Sequence, residues 1–78
     1  MASNAIISIP DITNGVYEVS IHMKADNTQI EFTTAPFTSG EATVALASTG
    51  VGVEFVGYCD DAYSTSKNGA VFQGTTTP

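Results

Sequence analysis

His22 is the one histidine of this 78-residue chain and Cys59 its one cysteine. The residue types that most often supply a base, a nucleophile or a soft metal ligand therefore occur singly. An imidazole can act as base or ligand near neutral pH, but a zinc site needs several such donors and a nucleophilic triad needs a partner for the ring. No second histidine completes either set, so His22 is expected to be a solvated or interface side chain. Cys59 precedes Asp60 and Asp61. A reactive thiol needs nearby positive charge or an imidazole, whereas neighbouring carboxylates raise its pKa, so Cys59 is expected to be a buried or half-buried inert thiol. Asp60 and Asp61 offer the hard oxygens that Ca²⁺ takes, without the spacing of an EF-hand loop, and they read as a solvated loop, with Ca²⁺ binding as the alternative.

Other candidates lack partners as well. Glu18, Glu31, Glu41 and Glu54 fall on separate strand-like segments, and sequence supplies no fixed distance for a glycosidase carboxylate pair. Gly50-Val51-Gly52 precedes no helix and is no phosphate cradle. Tyr17, Tyr58 and Tyr63 read as core or edge aromatics with their hydroxyls at the rim; a sugar-stacking or protein-binding surface is the alternative. No catalytic, cofactor-binding or metal-binding residue is assigned, and no cofactor is expected. A chain this short rarely walls off an active site, so it is not expected to be an enzyme.

The elements that would position these residues are all strand-like. Val16 to Met23 alternates, with Tyr17, Val19, Ile21 and Met23 on one face and Val16, Glu18, Ser20 and His22 on the other. Further strands are expected at Ala5–Ile9, Thr28–Thr34, Ala42–Ala47, Val51–Tyr58, Tyr63–Ser66 and Ala70–Gln73. Pro10-Asp11 and Ser48-Thr49-Gly50 close two of them. Lys24-Ala25-Asp26-Asn27 predicts a hairpin turn, Asn68-Gly69 a tight hairpin turn, and Ala35 to Gly40 a crossover loop anchored by Phe37. Gly52 and Gly57 inside a strand predict bending or close approach of another backbone. The apolar phase predicts a core of Val19, Ile21, Ile30, Phe32, Val44, Leu46, Val53 and Phe55. About seven short strands point to one all-β domain spanning 1–78, a small antiparallel sandwich or barrel, with an N-terminal arm at 1–9 and an extended tail at 75–78.

Composition limits what such a domain can do. Charged residues make up 13% of the chain, eight acids against two lysines and no arginine, for a net charge of −6. Phosphate backbones and anionic membranes both need clustered cations, so neither nucleic acid nor a membrane is expected as partner. One cysteine permits no intrachain disulfide, and a domain this small buries only about 60% of its unfolded surface, so association with other chains is a natural source of stability. Met1-Ala2-Ser3-Asn4 has no basic n-region, and no apolar run approaches a membrane-spanning length; the chain is expected to be made in the cytoplasm without a signal peptide.

A small acidic β-domain rich in Thr, Ser, Gly and Ala, with few charges, resembles bacteriophage virion structural proteins. It also resembles the immunoglobulin-like or fibronectin-III-like modules carried on virions, although the tryptophan and paired cysteines of immunoglobulin domains are missing. The resemblance implies a non-catalytic protein that decorates or cements a capsid, located on the virion and oligomeric or part of a larger assembly, with a capsid or other virion protein as partner. Residues Met1 to Ile9 would pair with a neighbour's strand edge. The alternatives are a small acidic inhibitor or anti-defence protein and an adhesion or glycan-binding module.

Overall fold

In the computed structural model, residues 2–61 and 70–78 are described, with the backbone alone at Asp61. Six strands are described: β1 (Ser3–Ser8), β2 (Gly15–Met23), β3 (Gln29–Phe37), β4 (Glu41–Leu46), β5 (Glu54–Asp61) and β6 (Ala70–Thr75). Six replace the seven expected; the expected strand Tyr63–Ser66 and the Asn68-Gly69 turn lie outside the described residues. The all-β class holds, with no helix among the described residues. The strands form two antiparallel sheets, β1-β4 and β3-β2-β5-β6.

Alternation places the core between the sheets. Val19, Ile21, Val44, Leu46 and Phe55 are buried as expected, joined by Ile7, Phe37 and Phe72. Tyr17 packs edge-on against Phe37 at 5.5 Å between ring centres, and its hydroxyl donates to the Thr13 carbonyl at 2.8 Å. Phe32 is a correction: it is 58% exposed. The β2–β3 register pairs Ile21 with Glu31 and His22 with Gln29, so Ile30 is the extra residue of a bulge. It packs on the core margin, while Phe32, opposite Ser20, takes the outer face. A bulge interrupts the strict alternation on which the expectation relied.

Two more boundaries moved for local reasons. β3 runs on through Pro36 to Phe37, where a crossover loop was expected. β3 is an edge strand, and there a proline's missing N–H costs no ladder bond. Phe37 is indeed an anchor, fully buried at the strand's end. At the other boundary, Gly52 has a φ of +84°, a left-handed conformation that breaks the strand. β5 therefore begins at Glu54, with Val51 exposed and Val53 half-buried outside it. Gly57 meets the expectation of close approach. A Cβ there would overlap the Ser20 carbonyl oxygen and lie 2.5 Å from the Phe72 ring.

The Lys24 to Thr28 hairpin forms as expected. Met23 N–H donates to Thr28 O at 2.8 Å, Asn27 adopts φ +62°, and Asp26 Oδ1 accepts from Thr28 N–H at 3.0 Å. Those bonds from Thr28 hold the Asp26 carboxyl below its ordinary value.

Residues 1–9 do not reach outward as an arm. They supply β1, whose Ala5 and Ile7 have no exposed surface and whose backbone pairs with β4 from Ser3↔Leu46 to Ser8↔Glu41. The tail is likewise built in. Asn4 and Thr77 exchange two backbone bonds of 2.8 and 2.9 Å, so the chain end closes the seam between β6 and β1. The opposite seam, between β3 and β4, is joined at the Thr38–Glu41 turn and opens into a cleft beyond it.

Candidate functional site

The outer face of the four-stranded sheet gathers the chemistry-bearing residues. Its rows follow from register: Thr34, Glu18 and Asp60 in one, Phe32, Ser20, Tyr58 and Val71 in the next, and Gln29, His22, Val56 and Gln73 in the third. Directly opposed residues share a sheet face. Phe32, Tyr58 and Val71 are 58%, 48% and 84% exposed, so this face carries large apolar groups into solvent.

Beneath them runs a fixed chain of hydrogen bonds. The Asn27 carbonyl can only accept, so His22 Nδ1–H donates to it at 3.1 Å, leaving Nε2 to accept from Ser20 Oγ at 2.7 Å. Gln29 Nε2 donates to the same Ser20 oxygen at 3.0 Å. The His22 ring also stacks on Tyr58, with ring centres 6.0 Å apart and planes 28° from parallel. A serine hydroxyl donating to a correctly tautomerised imidazole is the local geometry of a nucleophilic dyad. Ser20, however, has no exposed surface, so its oxygen is not offered to a bound substrate. The network's physical effect is to lock His22 and, through the stack, to hold the Tyr58 ring.

Sequence placed Ser20 and His22 on one strand face by their spacing of two. It could not supply the cross-strand partners Gln29 and Tyr58, nor the exposure of Phe32 and Val71, because register and bulge decide those.

The remaining candidates do not converge. Cys59 is fully buried on the core face, opposite Val19 and Ala70. Burial, and secondarily the Asp60 carboxylate, push its thiol pKa above the ordinary 9.0. Asp60 and Asp61 belong to β5 and not to a loop after it; the Asp61 side chain lies outside the described residues. No group of three or more His, Cys, Asp or Glu side chains that could hold a metal ion occurs among the described residues. Glu18 lies across from Asp60, Glu41 begins β4 opposite Ser8, and Glu31 faces the β3–β4 cleft. Glu54 pairs with Lys24 at 3.4 Å on an exposed rim. Tyr63 lies outside the described residues. The chain matches no protein-family model, no curated protein and no solved structure.

Proposed function

We propose that the protein is a non-catalytic structural module that decorates or cements a virion shell, docked on a capsid or other virion protein. Support comes from the surface around the β3–β4 cleft. Thr34 and Pro36 on one side and Thr43 and Ala45 on the other line that cleft. Beyond them lie Ile6, opposite Thr43 and 42% exposed, and Phe32, 58% exposed. This stretch is apolar or hydroxylic, with Glu31 as the one carboxylate lining the cleft. A surface with two exposed apolar anchors and little charge to desolvate suits protein contact.

Each contact would be weak alone, and a symmetric shell multiplies it through avidity. The net charge of −6 favours the outer surface of the shell over contact with packaged nucleic acid. Strand donation by residues 1–9 is not part of this reading, because β1 is committed to β4 and to the tail. An immunoglobulin-like relationship belongs to the same proposal and would account for a sandwich-like module on a virion.

Co-sedimentation with purified particles tests it. The full chain should pellet with particles, and Ile6→Glu together with Phe32→Glu should abolish pelleting while the circular dichroism spectrum is retained. A protein that stays in the supernatant with every particle, or a double variant that still pellets, overturns the proposal.

A further inference from the structure

A second surface, on the β5–β6 side of the molecule, is a depression of about 740 Å³ lined by Ser8, His22, Asn27, Tyr58, Val71 and Gln73, with Val56, Gly57 and Phe72 completing its floor. The volume lies in the range of small-ligand sites, about 300–1,000 Å³. Among the described residues, no Asp, Glu, Lys or Arg lines it. We propose that this depression binds a neutral carbohydrate, a few sugar rings of an uncharged oligosaccharide.

The lining selects that chemistry by exclusion. An anion would find no cation among the described lining residues and would meet the field of a −6 chain. A cation would find no carboxylate among them. A purely apolar ligand would strip water from Ser8, Asn27, Tyr58 and Gln73, whose side-chain polar groups have no hydrogen-bond partner among the described residues, and would leave them unsatisfied. A neutral sugar meets every part of the lining. Its C–H face stacks on an aromatic ring, and its edge hydroxyls both donate and accept, matching amides and hydroxyls.

The aromatic platform is already formed. Tyr58 is 48% exposed, and its ring lies near-parallel to that of His22, whose two nitrogens are held by Ser20 and Asn27. A ring fixed before binding loses little entropy on binding. The site goes beyond the decoration proposal and is independent of it, because its described lining shares neither Ile6, Phe32 nor any residue of the β3–β4 cleft with the attachment surface.

The test is a ¹H–¹⁵N NMR titration of the full chain with four neutral probes: cellohexaose, maltohexaose, xylohexaose and chitohexaose. The expected result is saturable shifts at Asn27, Tyr58 and Gln73 with at least one probe. Tyr58→Ala should weaken binding at least tenfold, Tyr58→Phe much less, and Phe32→Ala not at all; hexagalacturonate should bind more weakly than the neutral probe. Retention of the amide spectrum in each variant shows that the fold survives. Absence of shifts with all four probes, or shifts that persist unchanged in Tyr58→Ala, overturns the proposal. So do shifts at these residues that depend on protein concentration alone, which would show that a second copy covers the face. Particle pelleting, read separately, is unaffected by Tyr58→Ala if both proposals hold.

Discussion

Phe32 and Phe55 are the same side chain on opposite faces of one sheet, and they should respond to truncation in opposite ways. Phe55 is fully buried and meets Phe72 at 6.2 Å between ring centres, so Phe55→Ala should cost about 3–5 kcal/mol in chemical denaturation. Phe32→Ser removes a mostly exposed ring and should stay within about 0.5 kcal/mol of wild type. Cys59 sits in the core, so Cys59→Ala should be milder than Cys59→Ser, whose hydroxyl would be buried without an assured partner at about 1–3 kcal/mol. Its thiol pKa also sets a pH dependence. The folded value is raised, so the thiol's contribution is complete below the unfolded pKa and is lost as pH rises through the folded one. Stability measured by denaturant midpoint should therefore fall above about pH 9, and Cys59→Ala should flatten part of that fall.

At the scale of elements, the chain end does more than an extended tail would. Thr76 is 2% exposed; its Oγ1 donates to Gly50 O at 2.6 Å and accepts from Val53 N–H at 2.9 Å, while its backbone bonds Gly52 and Val53. One residue thus fastens the 50–53 turn to the segment that follows β6. Thr76→Val keeps the volume and loses both side-chain bonds, leaving a part-buried N–H and carbonyl short of a partner. It should cost about 1–3 kcal/mol by denaturant titration, whereas Thr75→Val, on an exposed position of the same segment, should cost little. On β3, the bulge at Ile30 and the proline at Pro36 act in the same direction, bending and blunting an edge that would otherwise invite pairing with another chain.

For the molecule as a whole, the two seams between sheets decide cooperativity. β1 contributes Ala5 and Ile7 to the core and carries Asn4, which anchors the C-terminal Thr77. Deleting residues 1–9 should therefore unfold the body, visible as loss of the β-sheet circular dichroism signal and of dispersed amide resonances. A truncated chain that keeps both would show β1 to be dispensable. Electrostatics contribute little by comparison. Lys24–Glu54 is the one ion pair among the described residues, and both side chains are more than half exposed, so Lys24→Ala should change stability by less than about 1 kcal/mol.

The strand periods, the Lys24–Asn27 turn and the tight approach at Gly57 were legible in the sequence, because period-two alternation and turn chemistry are local properties. The same local logic fixed Val19, Ile21, Val44, Leu46 and Phe55 as core. It failed at Phe32, since the extra residue Ile30 in β3 changes which face the following residues occupy, and a bulge is defined by a partner strand. It failed at Pro36, whose missing donor matters only if the strand has a neighbour on that side. It read residues 1–9 as an arm and 75–78 as an extended tail without joining them, because their pairing spans more than 70 residues of chain, from Asn4 to Thr77. The outer-face site depended on register in the same way. Ser20 and His22 share a face by their spacing, but only the pairing of β2 with β3 and β5 brings Gln29 and Tyr58 beside them and leaves Tyr58 and Val71 facing water. Sequence sets the alternation along each strand, and the tertiary pairing sets which residues stand side by side across strands, where a surface acquires its chemistry.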